Sequence, residues 1–384
     1  MGMRTIKLTI FDETLRDGEQ QVGIFFDAET KYTLAQLIRE TGVHHLALMP
    51  AIHDTEAELV QNLIAGGLNK ILTASTMMGK QYIDRSIECG VETIILFNAL
   101  SDRLLWLRDP EVRDRPYDDK ISSQTITEIR QKALAKILFH LEYAFNKGLK
   151  ICFAAEDASR GDFDFLVECI DKFAPYIDNF LLCDTVGILN PEDTKLWVRN
   201  LIDFTNNKTP LAVHFHNDRG LALENTIQAI LAGATGVSGT FGGIGERAGN
   251  VALEQVLSGL KLRYGWQVRG INYDALHRVT NYLNGRGFRS CNPYSPESLR
   301  YETGIHVESL LRDRDTYYLF NRGEPEIFFG KFSGASNFKY LCEKQLKRPL
   351  PSYKYQELRQ EIKQLSIQQK RSFSALEIIE MFDL

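Results

Sequence analysis

NFLLCDTVGILNPEDTKLWVRNLIDFTNNKTPLAVHFHND, residues 179–218, contains two short apolar runs separated by a longer segment with helical spacing. The runs NFLLCD (179–184) and LAVHFH (211–216) have the length and composition of buried β-strands. The segment between them, PEDTKLWVRNLIDF (191–204), repeats its apolar residues with the period of an α-helix. A strand, a helix and a second strand in this order predict a parallel βα unit.

The alternation of strand and helix continues on both sides of this stretch. Six further strands are predicted, namely LTIFDE (8–13), HHLALM (44–49), KILTAS (70–75), TIILFN (93–98), LKICFAAE (149–156) and TGVSGTF (235–241). Helical spacing recurs in AETKYTLAQLIRETG (28–42), SSQTITEIRQKALAKILFHLEYAFNKG (122–148) and LALENTIQAILAG (221–233). Eight strands over roughly 250 residues predict an α/β fold, the closed (β/α)8 or TIM barrel. The rival, a doubly wound open sheet, usually has a glycine-rich phosphate turn after its first strand, where this chain has DETLRDGEQ (12–20).

The barrel is predicted to occupy residues 1–262, because residues 263–384 show no such alternation. In this C-terminal part, TNYLNGRGF (280–288) indicates a helix followed by a glycine break. FSGASNFKYLCEKQL (332–346) and the segment 355–382 are also predicted to be helical. We therefore expect a second, mainly helical subdomain after the barrel.

Composition excludes several functional classes. The chain of 384 residues has a net charge of −5 and no basic stripe interleaved with aromatic residues, so we expect no nucleic-acid partner. No apolar run has the length of a membrane span, and the N-terminal residues lack the apolar stretch of a signal peptide. The six cysteines are scattered without a CxxC pair, which is typical of reduced, mostly buried thiols in a cytoplasmic protein.

Polar side chains gather where the predicted strands end. They are Asp12, Arg16 and Asp17; Glu156 and Asp157; Asp184 and Thr185; His214 and His216; and the loop GGIGERAGN (242–250). Barrel enzymes build their active sites at the C-terminal ends of the strands. Helix capping would explain any one of these residues, but a site explains why they occur around the whole ring.

His214 and His216 are candidate metal ligands. Residues i and i+2 of a strand point to the same face, so both imidazoles are predicted to point into the barrel, where they can share one ion. A third ligand is often a carboxylate, and Asp17 is the candidate because the first strand of a closed barrel neighbours the eighth. Asp12 is nearer the strand end but could equally be structural. Arg16 could hold a substrate carboxylate or stabilise an oxyanion, or it could pair with a rim carboxylate such as Glu19.

Five motifs in order resemble one family. They are FDETLRDGEQ (11–20), AEDASR (155–160), CDTVGILNP (183–191), HFHNDRGLALENTIQAILAGAT (214–235) and GTFGGIGERAGN (239–250). They are similar to those of the metal-dependent Claisen-condensing enzymes, which include isopropylmalate, homocitrate and citramalate synthases and belong to the DRE-TIM barrel superfamily with the hydroxymethylglutaryl-CoA lyases. The resemblance covers about residues 5–262, and ETGIHVESLLRD (302–313) resembles the family's lid motif. It implies a divalent metal ion (Mg²⁺, Mn²⁺ or Zn²⁺), acetyl-CoA as co-substrate and a 2-oxo acid as acceptor.

The resemblance also implies roles for individual residues. Metal ligands of the family match Asp17, His214 and His216, and Asn250 matches a residue close to the metal. The catalytic candidates are Arg16, which stabilises the developing oxyanion, Glu156, His306 of the lid, and Tyr317, where the family often has a tyrosine. Thr185 matches a residue that holds the substrate carboxylate, and Gln20 and Arg160 are further substrate-binding candidates, although Arg160 could equally form a rim ion pair.

Departures from the family pattern concern the substrate. Leu46 and Leu48 replace a glutamate and a glycine of the second strand, Leu104 replaces a histidine, and Ala154 replaces a serine. With Met77 and Met78 they are predicted to line an apolar pocket, whereas a distal carboxylate would need a buried cation or several donors. We therefore expect an apolar or aromatic 2-oxo acid such as phenylpyruvate, and a 2-benzylmalate-type product. The alternative is that these residues are ordinary barrel packing in a homocitrate or isopropylmalate synthase.

Two further expectations follow from the resemblance. A metal-dependent hydroxyacyl-CoA lyase is the alternative of another class, but it usually has a cysteine in the glycine loop, where this chain has GGIGERAGN. The length resembles that of the homocitrate-type group, so we expect no regulatory domain. In the family the C-terminal lid reaches over the partner subunit's barrel, which implies a homodimer.

Overall fold

The computed structural model describes residues 3–118, 120–317 and 323–384. Its strands are β1 (Arg4–Ile6), β2 (Thr9–Asp12), β3 (His45–Leu48), β4 (Leu72–Met77), β5 (Thr93–Ala99), β6 (Lys150–Glu156), β7 (Asn179–Asp184), β8 (Leu211–Phe215), β9 (Gly236–Gly239), β10 (Trp266–Val268), β11 (Arg300–Tyr301) and β12 (Glu326–Ile327). Strands β2 to β9 form a closed barrel, and all neighbouring pairs, including β2 with β9, are parallel. The predicted TIM barrel is confirmed, and each of the eight predicted strands coincides with a barrel strand.

Helices follow the barrel strands on the outside, and further helices form the C-terminal part. They are α1 (Ala28–Glu40), α2 (Asp54–Leu63), α3 (Lys80–Glu88), α4 (Asp102–Arg108), α5 (Ser123–Asn146), α6 (Phe163–Phe173), α7 (Pro191–Phe204), α8 (Ala222–Ala232), α9 (Leu253–Tyr264), α10 (Tyr273–Gly285), α11 (Gly304–Arg312), α12 (Ala335–Lys339), α13 (Ser352–Gln369) and α14 (Ala375–Phe382). Helix α7 begins with Pro191 at its first position, and the side chain of Asn190 accepts a hydrogen bond from the amide of Asp193. Proline and asparagine at these positions favour helix initiation, so the sequence itself fixes where the chain leaves the strand end and turns back.

Each barrel strand has one face towards the barrel axis and one towards the helices. A small cluster inside the barrel contains Phe11, Ala47, Ile95, Cys152, Leu181, Cys183 and Ala212. Their strand neighbours, such as Leu46 and Leu48, belong to the large apolar layer between strands and helices. Because side chains alternate along a strand, the residues that can face a site on the barrel axis are fixed by this register.

The C-terminal part is divided between two cores. Leu276, Val279 and Leu283 of α10 pack in the large apolar layer of the barrel. From Tyr301 onwards, residues form a second core, which also includes Ala99 and Leu104 from the strand ends and α4 of the barrel. The apolar packing of the barrel therefore continues beyond residue 262, the end that the sequence analysis predicted.

The predicted helix over 355–382 is two helices. Lys370 has a left-handed backbone conformation, with φ of 56°, and ends helix α13 before α14 begins. The Ser374 side chain then caps the new helix by accepting from the amide of Glu377. Helix α12 extends through a π-helical turn to Gln345, as the spacing of 332–346 predicted.

Two further observations concern the whole chain. None of the described helices combines the length and the apolar character needed to cross a membrane. The six cysteines are free thiols, and all but Cys291 are buried.

Candidate active site and metal centre

A cavity of about 760 Å³ lies between the C-terminal ends of the barrel strands and the C-terminal helices. Barrel residues from the strand ends line one side, and residues from α11, α12 and α13 line the other. A volume of this size is typical of small-molecule sites. The cavity therefore has two contributors, the barrel and the segment that covers it.

Asp17, His214 and His216 form a cluster at the barrel side of the cavity, which we call the metal cluster. The Nε2 atoms of the two histidines are 3.3 Å apart. Asp17 Oδ2 lies 3.9 Å from Nε2 of His214 and 3.8 Å from Nε2 of His216. Three ligand atoms in such a triangle can surround one ion on one side and leave its other positions open.

The protonation states in the cluster suit metal binding. Burial lowers the pKa of His214 to about 4 and that of His216 well below its usual value, so both imidazoles are neutral. Burial alone would raise the pKa of Asp17, but the charge of Arg16 and the hydrogen bond from Asn250 lower it and keep the carboxylate ionised. Neutral imidazoles and a carboxylate are the forms that bind metal.

Neighbouring groups orient the three ligand atoms. His214 Nδ1 lies 3.0 Å from the hydroxyl of Ser238. Asn250 Nδ2 donates to Asp17 Oδ1 over 2.9 Å. Asn250 Oδ1 and His216 Nδ1 are buried with no hydrogen-bond partner among the described residues. Buried polar atoms are normally satisfied, and these orphaned atoms beside the cluster support an ion or an ordered solvent molecule at this place.

Arg16 lies beside the metal cluster. It donates to Glu13 Oε2 at 2.7 Å, to Asp17 Oδ2 at 3.1 Å and to Gln20 Oε1 at 3.2 Å. The alternative partner, Glu19, instead contacts Lys31 and Lys331. Asp12, the other carboxylate considered, is fully buried and accepts from both the amide and the hydroxyl of Thr14. Arg16 therefore presents positive charge to the cavity, and Asp12 has a local structural partner.

Glu156 is held by two groups that are distant in sequence. Arg108, at the end of α4, donates to Glu156 Oε2 at 2.5 Å and to Oε1 at 2.8 Å. The Tyr317 hydroxyl donates a short hydrogen bond to the same carboxylate and lies 3.2 Å from Arg108. Burial opposes ionisation of Glu156, but Arg108 holds its pKa at about 2. Glu156 is thus an anion over the working range of pH.

His306 faces the barrel from α11. Its Nδ1 lies 2.5 Å from Glu246 Oε2, although the two groups do not form a well-directed hydrogen bond. Its ring stacks on Tyr317, with ring centres 4.0 Å apart. The amide of Glu246 in turn donates to Asp17 Oδ1. A chain of contacts therefore links His306 to the metal cluster and, through Tyr317, to Glu156.

The substrate-binding candidates Thr185, Gln20 and Arg160 differ in whether they line the cavity. Thr185 lines the cavity, and its hydroxyl accepts from the amide of Asp157. Gln20 also lines the cavity and donates to the Thr303 hydroxyl over 3.1 Å. Arg160 pairs with Asp157 and does not line the cavity. Its position differs from the predicted substrate contact because its remaining donors bind the main-chain oxygens of residues 315 and 316.

One wall of the cavity is apolar. Its lining includes Met49, Ala51, Ile52, Met77, Met78, Ile95, Phe97, Ala154 and Leu181. Met77, Met78 and Ala154 were predicted here. Leu46, Leu48 and Leu104 were also predicted but do not line the cavity. Leu46 and Leu48 point to the helices because of the strand register, and Leu104 packs in the second core.

Sequence reasoning missed Arg108 and most of the apolar wall. Arg108 lies four residues beyond Leu104, the position that was compared with a histidine of the family. One signal was available, because Leu104 and Arg108 are four residues apart on a helix and so share a face. Met49 and Ala51 continue the inward register of Ala47, but the four residues of β3 are too few to fix that register from the sequence.

Comparison with known proteins agrees with the geometry. The family model described as HMGL-like matches residues 7–283. Because this match spans most of the chain, the protein belongs to the HMGL-like family. The resemblance to the Claisen-condensing enzymes of this barrel superfamily is confirmed.

Named relatives of the chain are synthases. It is 33% identical to homocitrate synthase AksA of Methanothermobacter thermautotrophicus, over 88% of this chain and 84% of the relative. It is 33% identical to 2-isopropylmalate synthase of Sulfolobus acidocaldarius, over 88% and 86% of the two chains. It is 32% identical to (R)-citramalate synthase CimA of Methanocaldococcus jannaschii, over 87% and 66%.

Solved structures share the fold. The HMG-CoA lyase of Brucella melitensis superposes with a TM-score of 0.56 at 18% identity, over 73% of this chain and 98% of the lyase. The HMG-CoA lyase of Bacillus subtilis gives a TM-score of 0.56 at 18% identity, over 76% and 96%. At this identity the likeness concerns the barrel alone.

Proposed function

We propose that this protein is an acyltransferase that condenses acetyl-CoA with a 2-oxo acid in a metal-assisted Claisen reaction. The observation that carries the proposal is the metal cluster of Asp17, His214 and His216, which opens into a cavity beside Arg16 and opposite His306. The named synthases among the relatives support the same reaction class.

The metal cluster and Arg16 act on the 2-oxo acid. A divalent ion held by Asp17, His214 and His216, with Asn250 beside it, would supply Lewis-acid polarisation of the keto group. Imidazole and carboxylate ligands suit Mn²⁺ and Zn²⁺, and carboxylate with open positions also suits Mg²⁺. Arg16 adds positive charge where the oxyanion develops. The Thr185 hydroxyl and Gln20 lie where they can hold the substrate carboxylate.

His306 and Glu156 act on acetyl-CoA. A base must remove a proton from the methyl group of the thioester within hydrogen-bond reach. His306 is the candidate base, because its side chain lines the cavity from α11, opposite the metal cluster. Glu156, held as an anion by Arg108, fixes the Tyr317 hydroxyl against the His306 ring. The carbanion attacks the keto carbon, and hydrolysis of the thioester then releases free CoA and makes the reaction irreversible.

We further propose an apolar or aromatic 2-oxo acid, such as phenylpyruvate, and hence a 2-benzylmalate-type product. Support comes from the apolar wall, in which Met77, Phe97 and Ala154 are unable to bind a second carboxylate. Arg108, the cation on this side of the cavity, is already neutralised by Glu156 through both oxygens. A second carboxylate buried against this apolar wall, where the nearest cation is already paired, would be costly.

Release of free thiol from acetyl-CoA tests this function. The protein, supplied with Mg²⁺, Mn²⁺ or Zn²⁺, is assayed with phenylpyruvate, 2-oxoisovalerate, 2-oxoglutarate and pyruvate. We expect metal-dependent release, fastest with phenylpyruvate. Preference for 2-oxoglutarate or 2-oxoisovalerate would replace the apolar assignment by a homocitrate or isopropylmalate synthase. Cleavage of a hydroxyacyl-CoA without any condensation would replace it by the lyase.

We also propose a homodimer. The family resemblance implies that residues of the lid cover the partner subunit's barrel, whereas in this structure residues 304–317 cover the barrel of their own chain. Light scattering coupled to gel filtration tests the assembly, and a mass of one chain, 43.8 kDa, would overturn it.

A further inference from the structure

Three cations from the C-terminal helices line one side of the cavity. They are Lys339, at the end of α12, and Arg359 and Lys363 of α13. Arg359 and Lys363 are four residues apart, so they lie on one face of the helix. All three are partly buried. We call them the cationic wall, and nothing in the proposed chemistry of the metal cluster uses them.

The cationic wall is not neutralised by the protein. Among the residues that the structure describes, Lys339 and Lys363 make no salt bridge or hydrogen bond. Arg359 has one contact, from Nη1 to Gln356 Oε1 at 3.3 Å, and its Nε is buried without a partner. The neighbouring Arg312 differs, because Glu308 and Asp114 both pair with it at 2.7 Å and 2.6 Å.

The electrostatic environment of the cationic wall is positive. Burial and the charge of Arg359 lower the pKa of Lys363 to about 8. Glu302 opposes this shift, and Asp114 acts on Lys339, but neither carboxylate forms a salt bridge with the wall. Like charges held together at partial burial are unfavourable unless an anion joins them. The wall thus has the character of an anion site.

We propose that the cationic wall binds the phosphate groups of the acyl-CoA substrate, an inference that rests on the proposed function. Several phosphates match several cations that make no salt bridge with the described residues, whereas the single carboxylate of a 2-oxo acid is already assigned to Thr185 and Gln20 beside the metal cluster. Ile305, Phe332 and Ala335 also line the cavity. Their apolar surface suits the pantetheine arm, so the thioester enters the barrel with its nucleotide end against α12 and α13.

Binding without turnover tests the inference. Calorimetry with the full-length, metal-loaded protein and no 2-oxo acid compares CoA, dephospho-CoA and pantetheine. We expect wild type to bind CoA more tightly than dephospho-CoA, and both more tightly than pantetheine. In Lys363→Met and Lys339→Gln the affinity for CoA is expected to fall about tenfold, since hydrogen bonds to charged groups contribute strongly. The affinity for pantetheine is expected to stay unchanged.

Lys344→Gln is the matched control, because this lysine is exposed in the same region and does not line the cavity. It should leave all three affinities unchanged. Equal losses for CoA and pantetheine, or no loss for either, would overturn the inference. A rise in KM for the 2-oxo acid with an unchanged KM for acetyl-CoA would also overturn it, because the wall would then bind the acid. Absence of condensation with retained, phosphate-dependent CoA binding would sink the proposed function alone.

Discussion

Two buried charged clusters near the barrel mouth differ in whether their groups satisfy one another. In the first, the metal cluster, two neutral imidazoles and one carboxylate leave polar atoms of His216 and Asn250 without partners. The second consists of Lys31, Lys331, Glu19 and Glu56, and we call it the ion-pair cluster. Lys31 Nζ lies 2.6 Å from Glu19 and 2.7 Å from Glu56, and Lys331 Nζ contacts the same two carboxylates.

This difference in satisfied groups distinguishes a ligand-binding site from a cluster that only stabilises the fold. The ion-pair cluster contains two positive and two negative groups, and each contacts both groups of opposite sign. It joins α1 and α2 to the loop at Lys331, whose neighbour Phe332 lines the cavity. It has no charge left for a ligand. The metal cluster lines a cavity and has unsatisfied buried atoms beside it, and burial of such atoms is costly unless a partner satisfies them.

The largest expected effect comes from removing a ligand of the metal cluster. Asp17→Asn removes the ligand charge but keeps the volume of the side chain. We expect bound metal to be lost on dialysis and thiol release to fall by at least about a thousandfold, because Lewis-acid stabilisation contributes several kcal/mol. The unfolding midpoint in urea should not fall. His277→Gln, at an exposed histidine of α10, is the control and should keep metal and activity.

For the ion-pair cluster we expect the opposite outcome, a loss of stability without a loss of metal. Lys331→Met leaves two buried carboxylates with one cation, which should lower the free energy of unfolding by about 3–5 kcal/mol. Metal content should remain. Lys370→Met breaks an exposed pair with Asp27 and should cost less than about 1 kcal/mol. If both variants lose the same stability, the two lysines are equivalent and the comparison between clusters fails.

Acid should weaken the ion-pair cluster over a defined range of pH. Burial opposes ionisation of Glu56, but Lys31 and Lys331 lower its pKa from 4.5 to about 2. A lowered pKa in the folded state contributes stability above the unfolded value, and this contribution is lost as pH falls from about 4.5 towards 2. Urea unfolding across this range should show the loss, and Glu56→Gln should show a smaller decline. A parallel decline in both proteins would contradict the assignment.

A smaller effect is expected where a balanced cluster touches the cavity. Arg108, Glu156 and Tyr317 neutralise one another, yet Arg108 and Glu156 line the cavity. Tyr317→Phe removes the hydroxyl, which donates to Glu156 and accepts from Arg108, and keeps the stacking on His306. We expect kcat to fall about tenfold, the size of one charge-assisted hydrogen bond, with bound metal unchanged. Tyr294→Phe, at an exposed tyrosine, provides the control. Unchanged kcat in Tyr317→Phe would remove Tyr317 from the site.

The smallest effect distinguishes side chains that face the cavity from those that face the protein. Leu48→Met should leave the order of 2-oxo acid preference unchanged and cost less than about 1.5 kcal/mol of stability, because Leu48 packs against helices. Ala154→Ser adds a hydroxyl to the cavity wall. It should raise the relative rate with smaller or more polar 2-oxo acids. A change of preference in Leu48→Met would mean that the strand register differs.

The barrel could be predicted because its signals are local. Each strand and helix is a continuous run with its own period, and the C-terminal ends of parallel strands must meet at one face of the barrel. His214 and His216 share one strand, so alternation alone brings their side chains together. Asp17 lies near them because closure of the barrel places the first strand, β2, beside the last, β9, and β9 is also the neighbour of the histidine strand β8.

Contacts between distant parts of the chain could not be predicted in this way. Arg108 and Tyr317 are 209 residues apart, and no periodicity relates them. The predicted orientation of Leu46 and Leu48 towards the cavity was wrong for a different reason. A shift of one residue exchanges the two faces of a strand, and the four residues of β3 are too few to fix the register from sequence.

Arg160 has a consequence for how the cover of the cavity can change during evolution. Its guanidinium binds the main-chain oxygens of Asp315 and Thr316, each over 2.7 Å. Every amino acid offers such an oxygen, so this anchor does not depend on which residues occupy positions 315 and 316. Mutations can therefore accumulate at the exposed Asp315 while Tyr317 keeps its place against Glu156, whereas the buried Thr316 is constrained by its packing.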